Sequence, residues 1–168
     1  MNIQKKIEEN DSLQVVIFRV GEDYLSCPIS QVREIIQLEE VTPVPSTPPK
    51  IRGILNRRGE IITILDLPKV LNLGLDLNEK DSQLMILYSE NENIGIMVSE
   101  VTEIPTIDTE NIEEPSQALE TPVNEKYLEG IVKEDNKLIL LTDLLELVSS
   151  IAGEDIAKAE SVAEDIEN

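Results

Sequence analysis

Histidine and tryptophan are absent from the 168-residue chain, and there is one cysteine. Without histidine there is no Ser-His-Asp triad, no imidazole general base and no imidazole metal ligand. The lone Cys27 forms no disulfide within the chain, and one thiol cannot build a cysteine zinc cage. Aromatic residues are three tyrosines and one phenylalanine, too few for the stacking platforms of an oligonucleotide-binding barrel. Basic residues are scarce as well: 14 stand against 34 acidic ones, a net charge of −20. That balance argues against nucleic acid as the main partner and against docking on anionic membranes. No run of apolar residues is long enough for membrane insertion, and the start MNIQKKIEEN lacks the apolar stretch of a secretory signal. The expectation is a soluble, cytoplasmic protein.

What is present is enough for a packed interior, since 40% of the residues are apolar. The length suits one domain, or two small lobes sharing a core. The body runs from about residue 13 to 150. Residues 1–12 have little to bury and read as a flexible segment. Residues 151–168 hold six acids and one lysine. They read as an acidic tail, either disordered or helical, with Ile151, Ile156, Ala159, Val162, Ala163 and Ile166 able to form a thin amphipathic stripe.

Within the body, short apolar stretches alternate with turn chemistry. VVIFRV and YLSCPI flank Gly21-Glu22-Asp23, IRGILN and EIITILDL flank Arg57-Arg58-Gly59, LMILYS and IGIMVS flank a polar turn at 90–93, and GIVKE and KLILLT flank Asp135-Asn136. Four β-hairpins with few helices predict an all-β chain. Asp66 and Asp143 are each placed to cap a helix that follows a strand. The first helix is expected over LPKVLNL with Gly74 as its stop, and the second has Glu146 in near capping-box position. The proline-rich stretch 41–50 reads as an extended connector.

The two halves of the chain align. Shifting by 69 lays residues 14–36 on 83–105 with six of 23 identical, and shifting by 77 lays 53–67 on 130–144 with five of 15 identical. The pairs Gly53/Gly130, Asp66/Asp143 and Leu67/Leu144 stand out. An internal repeat of this size predicts two similar β lobes about an approximate two-fold axis, at about 13–75 and 83–150, partly interleaved. Neither lobe is large enough to be comfortable alone, so the surface between them should be apolar.

The copies differ in charge. The turn Asn56-Arg57-Arg58-Gly59 corresponds to Lys133-Glu134-Asp135-Asn136, in which Gly59 and Asn136 both tolerate positive φ. Lys50, Arg52, Arg57 and Arg58 fall within nine positions that contain no acid. On an acidic body this is an island suited to an acidic protein surface, because arginine offers bidentate pairing.

Enzymatic signatures are sparse. Asp66 and Asp143 across a two-fold axis evoke an aspartic protease, but neither is followed by Thr-Gly, and helix capping explains them better. There is no phosphate-cradling glycine loop and no nucleophile elbow. Glu110, Glu113 and Glu114 lack calcium-loop spacing, and Cys27 reads as a small core residue. A carboxylate-dependent β-barrel enzyme is the residual catalytic alternative. No metal or cofactor is expected.

The segments VIFRVGEDYLSCPISQVREII, PVPSTPPKIRGILNRRGEIITILDLPKVL, GIMVSEVTEI and YLEGIVKEDNKLILLTDLLEL together resemble the CheW-like domain family of bacterial chemotaxis. The resemblance spans about residues 13–150. It implies two five-stranded β-barrels and a non-enzymatic adaptor that couples the cytoplasmic tips of chemoreceptors to the regulatory domain of the histidine kinase CheA, recruited to membrane-bound receptor arrays. It also leaves open an adaptor of a related pathway such as pilus-driven motility. Carried onto this chain, the receptor-facing positions are Val32, Glu34 and Arg58, with Gly53 opening the strand before the turn. The family's Asn-Leu-Arg-Gly turn has Arg57 at its second position here, so the turn is more basic and Arg57 joins the candidate docking residues. Gly59, Asp66 and Asp143 are the structural turn and cap positions.

Overall fold

The computed structural model describes residues 2–89, 93–116 and 120–167, with backbone alone for 151–154, 166 and 167. All four expected hairpins form. Their strands are β1 (Ser12–Val20) with β2 (Asp23–Pro28), β4 (Ile51–Arg57) with β5 (Glu60–Asp66), β6 (Gln83–Leu87) with β7 (Ile94–Val98), and β10 (Leu128–Glu134) with β11 (Lys137–Thr142). Most of the third turn, at 90–92, lies outside the described residues. Three further strands are β3 (Val32–Gln37), β8 (Glu100–Glu103) and β9 (Thr106–Asp108). The chain is mostly β, in two sheets. One has the order β10-β11-β2-β1-β8, with β9 also on β1, and the other has the order β3-β6-β7-β5-β4.

Under the two shifts of the repeat these orders are the same order. The parallel pairing Thr63↔Ile94 between β5 and β7 has its counterpart in Leu140↔Leu25 between β11 and β2. The lobe limits expected from the repeat, 13–75 and 83–150, are nonetheless corrected. One sheet is contiguous, residues 32–98, and the other is assembled from 12–28 and 100–142. Alignment reveals which strands are equivalent, but it does not reveal which strands pair. The three-residue turn Ile29–Gln31 carries the chain from one sheet into the other, so each half of the sequence contributes strands to both.

Burial on both faces explains the near-continuous apolar runs. In β1, Leu13, Val15 and Ile17 pack inside the first sheet with Ile107, Val132, Ile139 and Leu141. The alternate residues Val16, Phe18 and Val20 face a shared layer with Met85, Leu87, Leu65, Leu140 and Leu144. The second sheet repeats the pattern, with Ile62, Ile64, Leu84, Ile86 and Met97 inside it. The layer between the lobes is apolar, as their small size requires.

Each sheet curls back on itself through one bridge. Thr42 pairs with Ile54 of β4, and Glu113 pairs with Ile131 of β10. Among the described residues the closure is this single pair and not a full ladder, so the sheets are curled rather than fully laddered barrels. The glycines of the repeat make the approach possible. A Cβ on Gly53, whose φ is +152°, would lie 2.3 Å from the Thr42 carbonyl oxygen, and one on Gly130 would lie 2.4 Å from Ile112. Both glycines follow a β-bulge, at Ile51/Gly53 and Leu128/Gly130.

Two helices depart from expectation, and the third takes the helical one of the two alternatives left open for the tail. Residues 1–12 are not simply flexible: α1 (Ile3–Glu9) is capped by Asn2, which accepts from the Lys5 N–H at 2.8 Å, and it plants Ile3 in the first sheet's interior. Helix α2 (Leu67–Val70) is a single turn, shorter than predicted, because Asn72 takes the left-handed conformation (φ +57°) before Gly74 is reached. Helix α3 (Leu144–Glu167) runs unbroken through the acidic tail. Of the predicted stripe, Ile156, Ala159 and Ala163 are buried and Val162 is half-buried, while the side chains of Ile151 and Ile166 lie outside the described residues.

Gly53→Ala and Gly130→Ala should each cost about 3 kcal/mol of stability, from steric overlap and, at Gly53, a backbone region reserved for glycine. For a domain of this size that corresponds to roughly 10 °C in melting temperature. Gly74→Ala, where a Cβ meets nothing within 4 Å, should move the melting temperature little. Thermal unfolding followed by circular dichroism measures all three.

Candidate functional site

The β4–β5 hairpin ends in a two-residue turn whose central residues, Arg58 (φ +53°) and Gly59 (φ +82°), both have positive φ. This is the turn that matches the twist of antiparallel strands, and it favours Asn or Asp followed by Gly. The equivalent turn of β10–β11 obeys that preference with Asp135 (φ +46°) and Asn136 (φ +65°). At position 58 an arginine occupies the left-handed region, at a cost of roughly 1–2 kcal/mol for a residue other than Gly, Asn or Asp.

The basic island separates into distinct roles. Arg52 is a brace: it donates to Asp66 at 3.2 Å, to Glu79 at 2.9 Å and to the Leu77 carbonyl at 3.1 Å. Lys50 sits before β4, and at about 3.3 Å per residue along that strand it is roughly 25 Å of chain from the turn, so it does not belong to the same patch. Arg57 pairs with Glu34 on β3, and Arg33 pairs with Glu60 at 3.3 Å. These two links lace the hairpin tip to β3, the strand brought alongside by the curl of the sheet. Arg57 Nε is buried with no hydrogen-bond partner among the described residues. Arg58 is exposed, and it alone of the five arginines has no carboxylate partner among the described residues.

Of the other candidate docking residues, Glu34 stands at the surface in its pair with Arg57. Val32 and Gly53 do not face outward, which corrects their expected place. Val32 is 9% exposed and belongs to the shared apolar layer, and Gly53 is buried under the Thr42 bridge. Both shape the surface from beneath. Gly59 takes positive φ, and each aspartate accepts from a backbone N–H at the start of the helix that follows it. Asp66 accepts from the Lys69 N–H at 3.3 Å, and Asp143 accepts from the Glu146 N–H at 3.2 Å.

The electrostatics follow the contacts. The hydrogen bond from Arg57 holds the Glu34 carboxyl below the usual carboxylate range, with Arg58 and Arg33 adding to it, and Glu34 raises the Arg57 guanidinium in return. Asp66 is shifted upward, because its complete burial outweighs the Lys69 N–H and Arg52. Burial likewise pushes the Cys27 thiol up, leaving it a poor nucleophile. Asp66 and Asp143 are each engaged at their own helix start and do not form a catalytic pair. No cluster of three or more His, Cys, Asp or Glu side chains suited to a metal occurs among the described residues.

Sequence reasoning missed three contributors. Gln31 accepts from the Leu144 N–H at 3.0 Å and donates to Asp143 at 3.0 Å, tying the inter-sheet turn to the start of α3. Arg33 was readable only as a charge on β3, since its partner Glu60 comes from the curl of the sheet. Tyr88 is 55% exposed and its N–H donates to the Gln31 carbonyl, which puts an uncovered aromatic ring beside the turn that leads into β3. A lone tyrosine after a strand carries no signal of exposure in sequence.

Glu34 predicts a pH dependence. Its folded-state pKa is depressed, so its contribution to stability is present above the ordinary carboxylate range and is lost as pH falls through the depressed value. Glu34→Gln should therefore melt lower than the parent chain at pH 7, and the difference should vanish on acidification. Melting curves of both proteins between pH 7 and pH 2 check this.

A family model described as the CheW-like domain matches residues 14–152. The chemotaxis protein CheW of Treponema pallidum (strain Nichols) is 30% identical over 145 residues, which is 84% of this chain and 85% of that protein. The chemotaxis protein CheW of Thermotoga maritima is 28% identical over 141 residues, covering 82% and 89%. The crystal structure of the scaffolding protein TtCheW from Thermoanaerobacter tengcongensis superposes with a TM-score of 0.72 at 32% identity, covering 83% of this chain and 89% of that one. These relatives are named for chemotaxis and scaffolding, in agreement with a chain that works without catalysis.

Proposed function

The chain belongs to the CheW-like domain family, and on that premise we propose that it is a non-enzymatic adaptor that couples chemoreceptor cytoplasmic tips to the histidine kinase CheA. The β4–β5 hairpin is its receptor-docking point. The observation that carries this reading is Arg58. Four arginines are neutralised by carboxylates, while the fifth is held out at the tip of a turn whose geometry disfavours it. A residue held against its backbone preference, exposed and without a carboxylate partner among the described residues, is suited to meet an acid supplied from outside. The laced pairs Glu34–Arg57 and Arg33–Glu60 fix the tip, so little side-chain and loop ordering remains to be lost on docking.

An acidic helical receptor tip fits this point, because opposite charge across a partly dry contact raises the encounter rate and fixes register. CheA would be held on another face through its regulatory domain. Recruitment to receptor arrays at the cytoplasmic side of the membrane would follow from these contacts. No described helix is long and apolar enough to cross a membrane.

Arg58→Ala should weaken binding of a receptor cytoplasmic fragment about tenfold, one decade being 1.4 kcal/mol. Arg58→Lys should recover part of it, lacking the planar fork. Arg58→Asn separates docking from folding: it should bind as weakly as the alanine variant yet melt higher, because asparagine tolerates the left-handed turn. Added salt should weaken the parent chain more than the variants. Calorimetric titrations at two salt concentrations, with melting curves, measure these effects. Equal affinity of all four proteins would overturn the docking role of the hairpin.

A further inference from the structure

Helix α3 starts on one lobe and ends on the other. It follows β11 of the first sheet and buries Leu144, Leu147 and Val148 in the shared layer. Its later turns then reach the second sheet. Ile156 and Ala159 are fully buried and still belong to that shared layer, whereas Ala163 packs with Val44 and Ile54, flanked by Ile61 and Val162, on the outer face of the β4–β5 hairpin. The family match ends at residue 152, so the portion that crosses onto the hairpin lies beyond it. Residues 156, 159 and 163 recur on one helix face, and two of the three are alanines, which lets the helix lie close to the sheet.

The opposite side of this portion is acidic. Between residues 155 and 165 there are four acids, Asp155, Glu160, Glu164 and Asp165, and one base, Lys158. Glu160 and Glu164 line a cavity of about 410 Å³ together with Gly59, Glu60, Ile61 and Asn93. Two carboxylates of α3 therefore stand beside the turn, one residue from Arg58. Beyond the shared layer the attachment to the hairpin is slight, since among the described residues Ala163 is buried there and Val162 half-buried. Among the described residues the rest of the helix buries Leu144, Leu147, Val148, Ile156 and Ala159 in the shared layer. Gly153, the weakest helix former of the element, lies between Val148 and Ile156. Such a segment can leave the sheet at far lower cost than the fold itself.

We propose that residues 155–165 of α3 form an acidic strap that competes with an acidic partner for the arginine hairpin, so that its attachment sets the affinity of docking. This rests on the hairpin being the docking point. With the strap in place, its carboxylates lower the positive potential at the tip and repel an acidic surface, and its helix occupies the flank of the hairpin that such a surface would approach. Release of the strap exposes Val44, Ile54 and Ile61 next to Arg58.

Two full-length variants test this with a receptor cytoplasmic-tip fragment as the probe. Glu160→Lys with Glu164→Lys leaves the buried face untouched. It should raise affinity about fivefold at low salt, a gain that shrinks at high salt. Ala159→Glu with Ala163→Glu drives the buried face off the sheet. It should raise affinity to a similar extent, with fast amide hydrogen exchange over 155–165 and unchanged protection in β1 and β6. If the second variant does not fold, the first decides alone. Binding by both variants at the parent affinity overturns the strap and leaves the hairpin reading standing. Absence of binding by the parent and both variants overturns the hairpin reading and the strap with it.

Discussion

The structure depends on strands that bury both faces. A strand with one wet face needs only its neighbours in a sheet, but β1, β5, β6 and β11 each send alternate residues into two different apolar regions. One region is the interior of a curled sheet and the other is the layer shared by the two sheets. Neither sheet can satisfy its outward residues alone, so the two lobes exist only as a pair. The same demand accounts for the route of the chain. By passing from β2 to β3 through three residues, it commits each half of the sequence to both sheets and leaves no lobe that could separate at a linker.

Curling the sheets in turn requires close backbone approach, and this is where the repeat keeps its glycines. Gly53 and Gly130 occupy the same place in the two copies because a strand segment lies over each of them at a distance no Cβ would permit. Gly53 is therefore tied to the proposed docking surface through geometry: it lets Val41 and Thr42 cross β4, which sets β3 beside the hairpin and brings Glu34 to Arg57 and Arg33 to Glu60. The charged tip is a consequence of an uncharged, buried position. A substitution at Gly53 that abolished docking would act through this path, without any contact to a partner.

What was legible in the sequence is what local chemistry determines. The hairpins follow from turn residues between apolar runs, and the caps from Asp66 and Asp143 ahead of helix formers. The repeat follows because equivalent strands bury equivalent faces. What was not legible depends on long-range pairing. The parallel pairs β5–β7 and β11–β2 carry no signature of their own, so lobe membership could not be read. Arg52, Arg57 and Arg58 look alike as a string of charges, and only the fold makes one a brace, one a pin and leaves one exposed at the tip of the turn. Val32 likewise reads as an alternating strand residue on either face until the shared layer claims it. The family resemblance pointed to β3 and the β4–β5 turn, but it could not tell the residues buried there, Val32 and Gly53, from those that stand at the surface.

The two lobes are built alike, so their differences carry the asymmetry of the molecule. After β5 the helix stops at one turn, because Asn72 adopts the left-handed conformation; after β11 no such residue intervenes, and α3 continues for 24 residues, about 36 Å at 1.5 Å per residue. That length carries it across to the other lobe. As a result Ile61 lies against α3, while its equivalent Leu138 is 40% exposed with no described helix over it. The two hairpins thus share a backbone and a turn type but differ in both charge and cover: the acidic one is bare, and the arginine one is flanked by an acidic helix. An approximate two-fold scaffold in which one arginine alone lacks a carboxylate partner among the described residues presents one basic tip rather than two equivalent ones, and a partner that reads charge can then dock in only one orientation.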